Sequence, residues 1–248
     1  MEARHRSAYG PRARLGLIVP PTNTVNEAEW ARLCPDGVTF HTHRMALHSD
    51  TESAEGRAGL MADLEAVFAL LGQCSPDVIA YACTAGSMVT PAEALPEDLH
   101  RRTGRAAVTT AAAIVAALRA LRVRRVAVAT PYARALNAHE TEFLTAHGLE
   151  VLRLIGLGIG AGGPQEYVQI ARTPLDAVAD HARAAFVPGA EALLITCTDF
   201  PSLPLIRPLE AELGVPVVTS TQATLWAALR AAGIADAPPA GGRLFAIA

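Results

Sequence analysis

The feature that most constrains the fold is an internal repeat. The stretch RVAVATPYARALNAHE, starting at Arg125, matches LGLIVPPTNTVNEAE, starting at Leu15, with Pro20 against Pro131, Asn26 against Asn137 and Glu29 against Glu140. A second correspondence sets DVIAYACTAGSMVTP, from Asp77, against AEALLITCTDFPSL, from Ala190, and so pairs Cys83 with Cys197. Two AALRA runs, from Ala116 and Ala227, repeat as well. Two copies are too few for a solenoid, and each reads as strands alternating with helices, so the repeat predicts two similar α/β halves facing one another.

Within each copy the apolar runs fix the elements. Leu15 to Pro20, Val38 to Leu47, Val78 to Ala82 and Ala106 to Thr109 read as strands, and Thr24 to Leu33, Gly56 to Leu71 and Ala111 to Leu121 as helices. Ser87 is expected to open a helical region broken by Pro91 and Pro96. The boundary between halves falls at 121 to 124. A first half of residues 15–121 plus 215–248 and a second of 122–214 is the expected division, with the last strand and helix returning to cover the first half. Leu244 to Ile247 is expected to add an edge strand.

Both cysteines of the paired stretches stand at the carboxyl end of a buried strand, where open α/β sheets bind ligands. The pseudo-symmetry predicts that they face one cleft. A turn or helix start beside each would favour the thiolate, the nucleophilic and basic form. Two thiols across a cleft suit proton removal next to a carboxylate, or addition to an alkene conjugated with one, with the enediolate charge held by fixed donors. That chemistry requires no cofactor. A disulfide between the two conflicts with the expected cytoplasmic location, and neither has a second Cys or His at metal-ligand spacing. His41 and His43 would share one face of a strand, and Cys34 and Cys74 read as small buried hydrophobes.

Donors for an acid substrate are expected in the loops that follow the first strand of each half. Asn23 and Thr24 stand at a helix start, and Tyr132 follows Pro131. Thr84, Ser87 and Thr198 supply further hydroxyls, although Asn23 and Ser87 also suit plain helix caps. The run LGIGAGG, 157–163, lacks the spacing and the following helix of a dinucleotide loop and reads as a loop over the cleft.

Composition narrows the partners. Of 248 residues, 51% are hydrophobic and 18% charged, which fits a folded domain with a sizeable core, and a net charge of -3 without a basic stripe argues against nucleic acid. Leu15 to Val19 is too short to cross a bilayer, and the arginines before it are not followed by a signal-peptide core. The expected partner is a small carboxylic or dicarboxylic acid, with no membrane or nucleic acid; a homo-oligomer is compatible with the sequence.

Taken together, GLIVPPTNT, YACTAGS, TPYARALN and ITCTDFPSL resemble the aspartate/glutamate racemase superfamily, and most closely its maleate cis-trans isomerase and arylmalonate decarboxylase branch. The resemblance runs from Leu15 to about Arg230. It implies two Rossmann-like halves around a cofactor-free site, with Cys83 as nucleophile, Cys197 as partner thiol, and Asn23 and Tyr132 as carboxylate ligands. The isomerase pattern expects an asparagine near Gly162 to Pro164, where this chain has glycines and proline. The decarboxylase pattern has no cysteine at the place of Cys83, so two thiols favour an isomerase or a racemase over a decarboxylase, and the PPTNT and TPYARALN loops fit the isomerase better than the racemase. A dicarboxylate-binding protein without activity is the non-enzymatic alternative; fast alkylation by iodoacetamide would argue against it.

Overall fold

The computed structural model describes residues 6–48 and 53–247. In chain order the first half runs β1 (Ala13–Val19), α1 (Asn26–Leu33), β2 (Val38–Arg44), α2 (Ala54–Leu71), β3 (Val78–Tyr81), α3 (Ala94–Thr103), β4 (Ala106–Thr109) and α4 (Thr110–Ala120). The second runs β5 (Arg125–Tyr132), α5 (Arg134–Ala146), β6 (Glu150–Ile159), α6 (Leu175–Ala185), β7 (Ala192–Ile195), α7 (Ile206–Leu213), β8 (Val217–Thr219) and α8 (Ser220–Ala231), with a short α9 (Gly242–Phe245) at the end. The sheets are ordered β2-β1-β3-β4 and β6-β5-β7-β8, and every pair is parallel. This is the α/β architecture with two pseudo-symmetric halves that the repeat predicts.

The central strands explain their own placement. VIAY of β3 and ALLI of β7 are buried at every position, as expected where helices cover both faces of a parallel sheet. Each strand lies next to the first strand of its half, so the cysteine two residues further on emerges near the middle of the sheet edge.

The seam between halves is built by helices. α8 packs along α4 and also touches α1 and β3. The Thr224 hydroxyl donates to the Thr110 Oγ1 at 2.9 Å, and the Trp30 indole donates to the Thr221 carbonyl at 3.2 Å. α8 starts cleanly because Thr219 and Gln222 form a reciprocal capping box.

Three expectations are corrected. The segment 215–248 does not join the first half as a unit: β8 hydrogen-bonds to β7 in the second sheet, while α8 packs across the seam on α4 and α1 and Asp236 pairs with Arg12 of the first half. Residues 244–247 add no edge strand, since α9 turns helical and buries Leu244 and Phe245 against the core. Ser87 closes a single 3₁₀ turn, Ala85–Ser87, and regular helix resumes only at α3, beyond Pro91.

Candidate active site

A cavity of about 540 Å³ opens over the carboxyl ends of the central strands, and Cys83 and Cys197 both line it. Asn23, Thr84, Tyr132 and Thr198 line it as well. Of the residues expected at the site, Ser87 is the exception. Its hydroxyl donates to the Cys83 and Thr84 carbonyls and accepts from the Ala111 amide, so it braces the turn beneath Cys83 from outside the cavity.

Each thiol has a phenol and a backbone amide beside it. The Gly86 amide donates to the Cys83 sulfur at 3.3 Å, and the Tyr81 hydroxyl is its second donor. Gly86 is required by close approach: a Cβ there would lie 3.1 Å from that sulfur and would collide with the Tyr81 hydroxyl. Cys197 has the Tyr132 hydroxyl and the Asp199 amide. Its backbone is left-handed, with φ 86°, a conformation that costs a non-glycine residue roughly 1–3 kcal/mol and turns the thiol out of the strand line.

Burial dominates both titrations, contrary to the expectation of poised thiolates. It raises the Cys83 pKa against the pull of the Gly86 amide and Tyr81. It pushes Cys197 up to about 12, helped by the negative charge of Asp199, against the pull of Tyr132 and the Asp199 amide. Both thiols are therefore neutral at neutral pH. Tyr132 is itself raised well above the phenol range by burial, then by charge on Cys197, Glu140 and Cys83, which marks it as the group that senses both sulfurs.

The polar residues tie the two cysteine turns together. The Ser220 hydroxyl accepts from the Thr84 hydroxyl at 2.9 Å and from the Cys197 amide at 3.0 Å. The Asn23 side chain is divided: its oxygen accepts from the Val25 and Asn26 amides and caps α1, while its NH₂ donates to the Thr198 Oγ1 at 3.1 Å. Thr198 in turn donates to the Ala82 carbonyl at 2.9 Å. Asp199, also in the lining, accepts from the Thr24 amide at 2.8 Å, and burial raises it to about 6.

Tyr81 and Ser220 were not singled out for the site from sequence. Ser220 left a trace in the repeat, because Thr219-Ser220 stands at a strand-to-helix junction as Thr109-Thr110 does. The run 157–163, expected as a loop over the cleft, instead ends β6 with Leu157 to Ile159 and does not itself line the cavity; Pro164, Tyr167 and Ile170 just beyond it do, and Glu166 accepts from the Gly160 and Gly162 amides. All four cysteines are free thiols. Among the described residues, no group of three or more His, Cys, Asp or Glu side chains is placed to hold a metal ion, and no helix is long and apolar enough to cross a membrane.

Two α/β halves with a cysteine from each at one cleft define an enzyme of the two-thiol kind. The family model described as arylmalonate decarboxylase matches residues 15–245, and the chain belongs to that family. It is 34% identical over 244 residues to a maleate isomerase of Nocardia farcinica, covering 93% of this chain and 94% of that protein. It is 33% identical over 237 residues to the arylmalonate decarboxylase of Bordetella bronchiseptica, covering 93% and 95%. Among solved structures, a cysteine-to-alanine variant of the Pseudomonas putida S16 maleate isomerase with maleate superposes with a TM-score of 0.85 at 27% identity, covering 95% of this chain and 98% of that one. A cysteine-to-serine mutant of the Nocardia farcinica enzyme with a covalently bound succinylcysteine intermediate superposes at 0.82 and 30%, covering 94% and 98%. The chain is a cysteine-based, maleate isomerase-like enzyme of this family.

Proposed function

We propose that the enzyme catalyses cis-trans isomerisation of a small α,β-unsaturated carboxylic acid of the maleate type, with Cys83 as nucleophile and Cys197 as proton donor and acceptor. The observation that carries this reading is the unequal setting of the two thiols. Each sulfur has a phenol and a backbone amide as donors, but only Cys197 of the two is also raised by the charge of a neighbouring carboxylate, that of Asp199. A sulfur that must bear negative charge belongs in the setting without that carboxylate, and one that must keep a proton belongs in the setting with it.

Rotation about a double bond requires its π bond to be broken. Cys83, in the fraction that has given its proton to solvent, adds as thiolate to one alkene carbon, and the π electrons pass into the carboxylate on the neighbouring carbon as an enediolate. The former double bond then rotates as a single bond. Return of the electron pair expels the Cys83 thiolate and leaves the trans alkene. Where the enediolate carbon takes a proton, Cys197 gives it and later takes it back. The carboxylate is held by the NH₂ group of Asn23 and the Tyr132 hydroxyl, with Thr84 and Thr198 fixing the two turns. Because acid and product are small and diffusible and the thiols must stay reduced, the reading places the enzyme in the cytoplasm.

Proton NMR of maleate incubated with the enzyme, with and without EDTA, tests the reading. Appearance of the trans acid in both samples supports it; conversion abolished by EDTA counts against it. Mass spectrometry after brief incubation and denaturation should place the adduct on Cys83, and an adduct confined to Cys197 would reverse the two roles.

A further inference from the structure

Each cysteine turn is gripped by a helix of the opposite half, and the two grips differ in kind. Met88 and Ser202 occupy equivalent places, each five residues beyond its cysteine. On one side, Glu29 of α1 accepts from the Ser202 and Leu203 amides at 2.7 and 2.8 Å. On the other, Glu140 of α5 stands where Glu29 does but accepts from Thr196 of its own half. Two histidines hold the Cys83 side instead. The His139 Nε2–H donates to the Met88 carbonyl at 3.3 Å, and the His147 Nε2 accepts from the Ala92 amide at 2.8 Å. His147 closes the C-terminal end of α5, and its Nδ1–H donates to the Phe143 carbonyl at 2.6 Å. That second bond fixes the tautomer that leaves Nε2 as an acceptor. Residues 139, 143 and 147 are four apart and so share one face of the helix.

The gripped segment is continuous with the turn of the first thiol. The Gly86 amide donates to the Cys83 sulfur, the Met88 amide to the Ala85 carbonyl at 3.4 Å and the Val89 amide to the Ser87 carbonyl at 2.9 Å. Met88 and Ala92 are both buried, so a shift at 88–92 is passed along this run to the sulfur. A proton on the His147 Nε2 would set N–H against N–H and break the bond to Ala92. His139 donates whether its ring is neutral or charged, so its bond survives the same change. The charged groups beside His147 are Glu93 and Arg119, paired at 2.9 Å. Glu93 lies below its ordinary value, held there first by its own backbone amide and then by Arg119 and His147. An imidazolium at 147 would draw Glu93 from Arg119, which gives the released segment a contact of its own.

We infer that His139 and His147 are positioning residues for Cys83, and that the latch at His147 holds only while its ring is neutral. The link to turnover rests on the role of Cys83 proposed above; the latch itself does not.

Hydrogen exchange in the wild-type enzyme reads the latch without turnover. The Ala92 and Ala111 amides are both bonded in buried surroundings, Ala92 to the imidazole and Ala111 to the Ser87 hydroxyl at 3.0 Å. From pH 8 to pH 5.5 the exchange of Ala92 relative to Ala111 should quicken at least tenfold, since the ratio cancels the intrinsic pH dependence. An unchanged ratio overturns the inference. His147→Phe lacks the acceptor at every pH and should lower kcat at pH 8 at least tenfold with KM nearly unchanged. His147→Gln, whose amide offers a donor and an acceptor, should recover most of that loss. Undiminished kcat in His147→Phe overturns the positioning role. At pH 5.5 the wild type should have lost at least tenfold more of its pH 8 activity than His147→Gln, and a parallel fall also counts against the latch. That comparison cancels the titrations of Cys83 and Asp199, which both proteins share. If neither variant folds, the exchange ratio in the wild type decides. A quickened ratio with no Cys83 adduct from maleate would sustain the latch and sink the nucleophile, and an adduct with an unchanged ratio would do the opposite.

Discussion

The two halves repeat one strand order and use equivalent positions differently. Glu29 and Glu140 correspond in the repeat and both are buried. Glu29 accepts from the Ser202 and Leu203 amides at 2.7 and 2.8 Å, which clamps α1 of the first half onto a loop of the second. Glu140 has the single hydroxyl of Thr196, at 3.2 Å, and burial raises it to about 8. The cysteines diverge as well: both have a phenol and an amide as donors, but Cys197 sits on a strained backbone beside the charge of Asp199.

The strongest way to break that contrast is to remove each sulfur. Cys83→Ala should abolish isomerisation in the NMR assay, because no covalent route remains. Cys197→Ser keeps a hydroxyl and should reduce kcat by roughly two to four orders of magnitude, the worth of a positioned acid or base. Equal losses in the two variants would mean that the thiols are interchangeable.

Next in size is the hydroxyl that joins the two turns. Ser220→Ala leaves the Cys197 amide and the Thr84 hydroxyl without their shared acceptor, and kcat should fall roughly ten- to a hundredfold, which corresponds to about 1–3 kcal/mol of lost hydrogen bonding. KM should change much less. Loss in KM alone would place Ser220 in substrate binding instead.

The pH profile sharpens the contrast further. A raised Cys83 pKa means that the thiolate fraction at neutral pH is small and rises with pH, so kcat/KM should climb about tenfold per unit through the neutral range before levelling. A flat profile from pH 6 to 9 would show that Cys83 is already ionised. Asp199→Asn removes the charge that helps to raise Cys197 and should lower the pKa of that thiol, read by the pH dependence of its alkylation in a Cys83→Ala background.

The smallest effect is on stability. Glu140 is raised in the folded state, so ionising it is easier after unfolding, and stability is lost as pH rises from the unfolded carboxyl value to about 8. Glu140→Gln should raise the melting temperature at pH 8 and leave it nearly unchanged at pH 4. An equal shift at both pH values would point to packing rather than titration.

Much of this was legible in the chain because duplication writes the same pattern twice. The β/α alternation, the parallel sheets and the convergence of Cys83 and Cys197 follow from strands that are apolar along their whole length and end at equivalent residues. The fate of 215–248 was not legible, because a three-residue strand such as β8 carries too little pattern to say which sheet it joins. Ser87 read as a site hydroxyl because it neighbours Cys83 in sequence, yet a 3₁₀ turn directs it inward. Ser220 lies 136 residues from Thr84 and 23 from Cys197, and only the closed seam brings the three together. The shifts of the thiols depend on burial, which local turn chemistry does not reveal.

The left-handed backbone of Cys197 sets stability and catalysis against each other at a single residue. Glycine would occupy that conformation without cost, and it would also remove the sulfur. Variants selected only for resistance to heat should therefore accumulate glycine at position 197 and lose turnover as they gain stability. For anyone engineering this enzyme, a thermal screen run without an activity screen would select against the site it was meant to preserve.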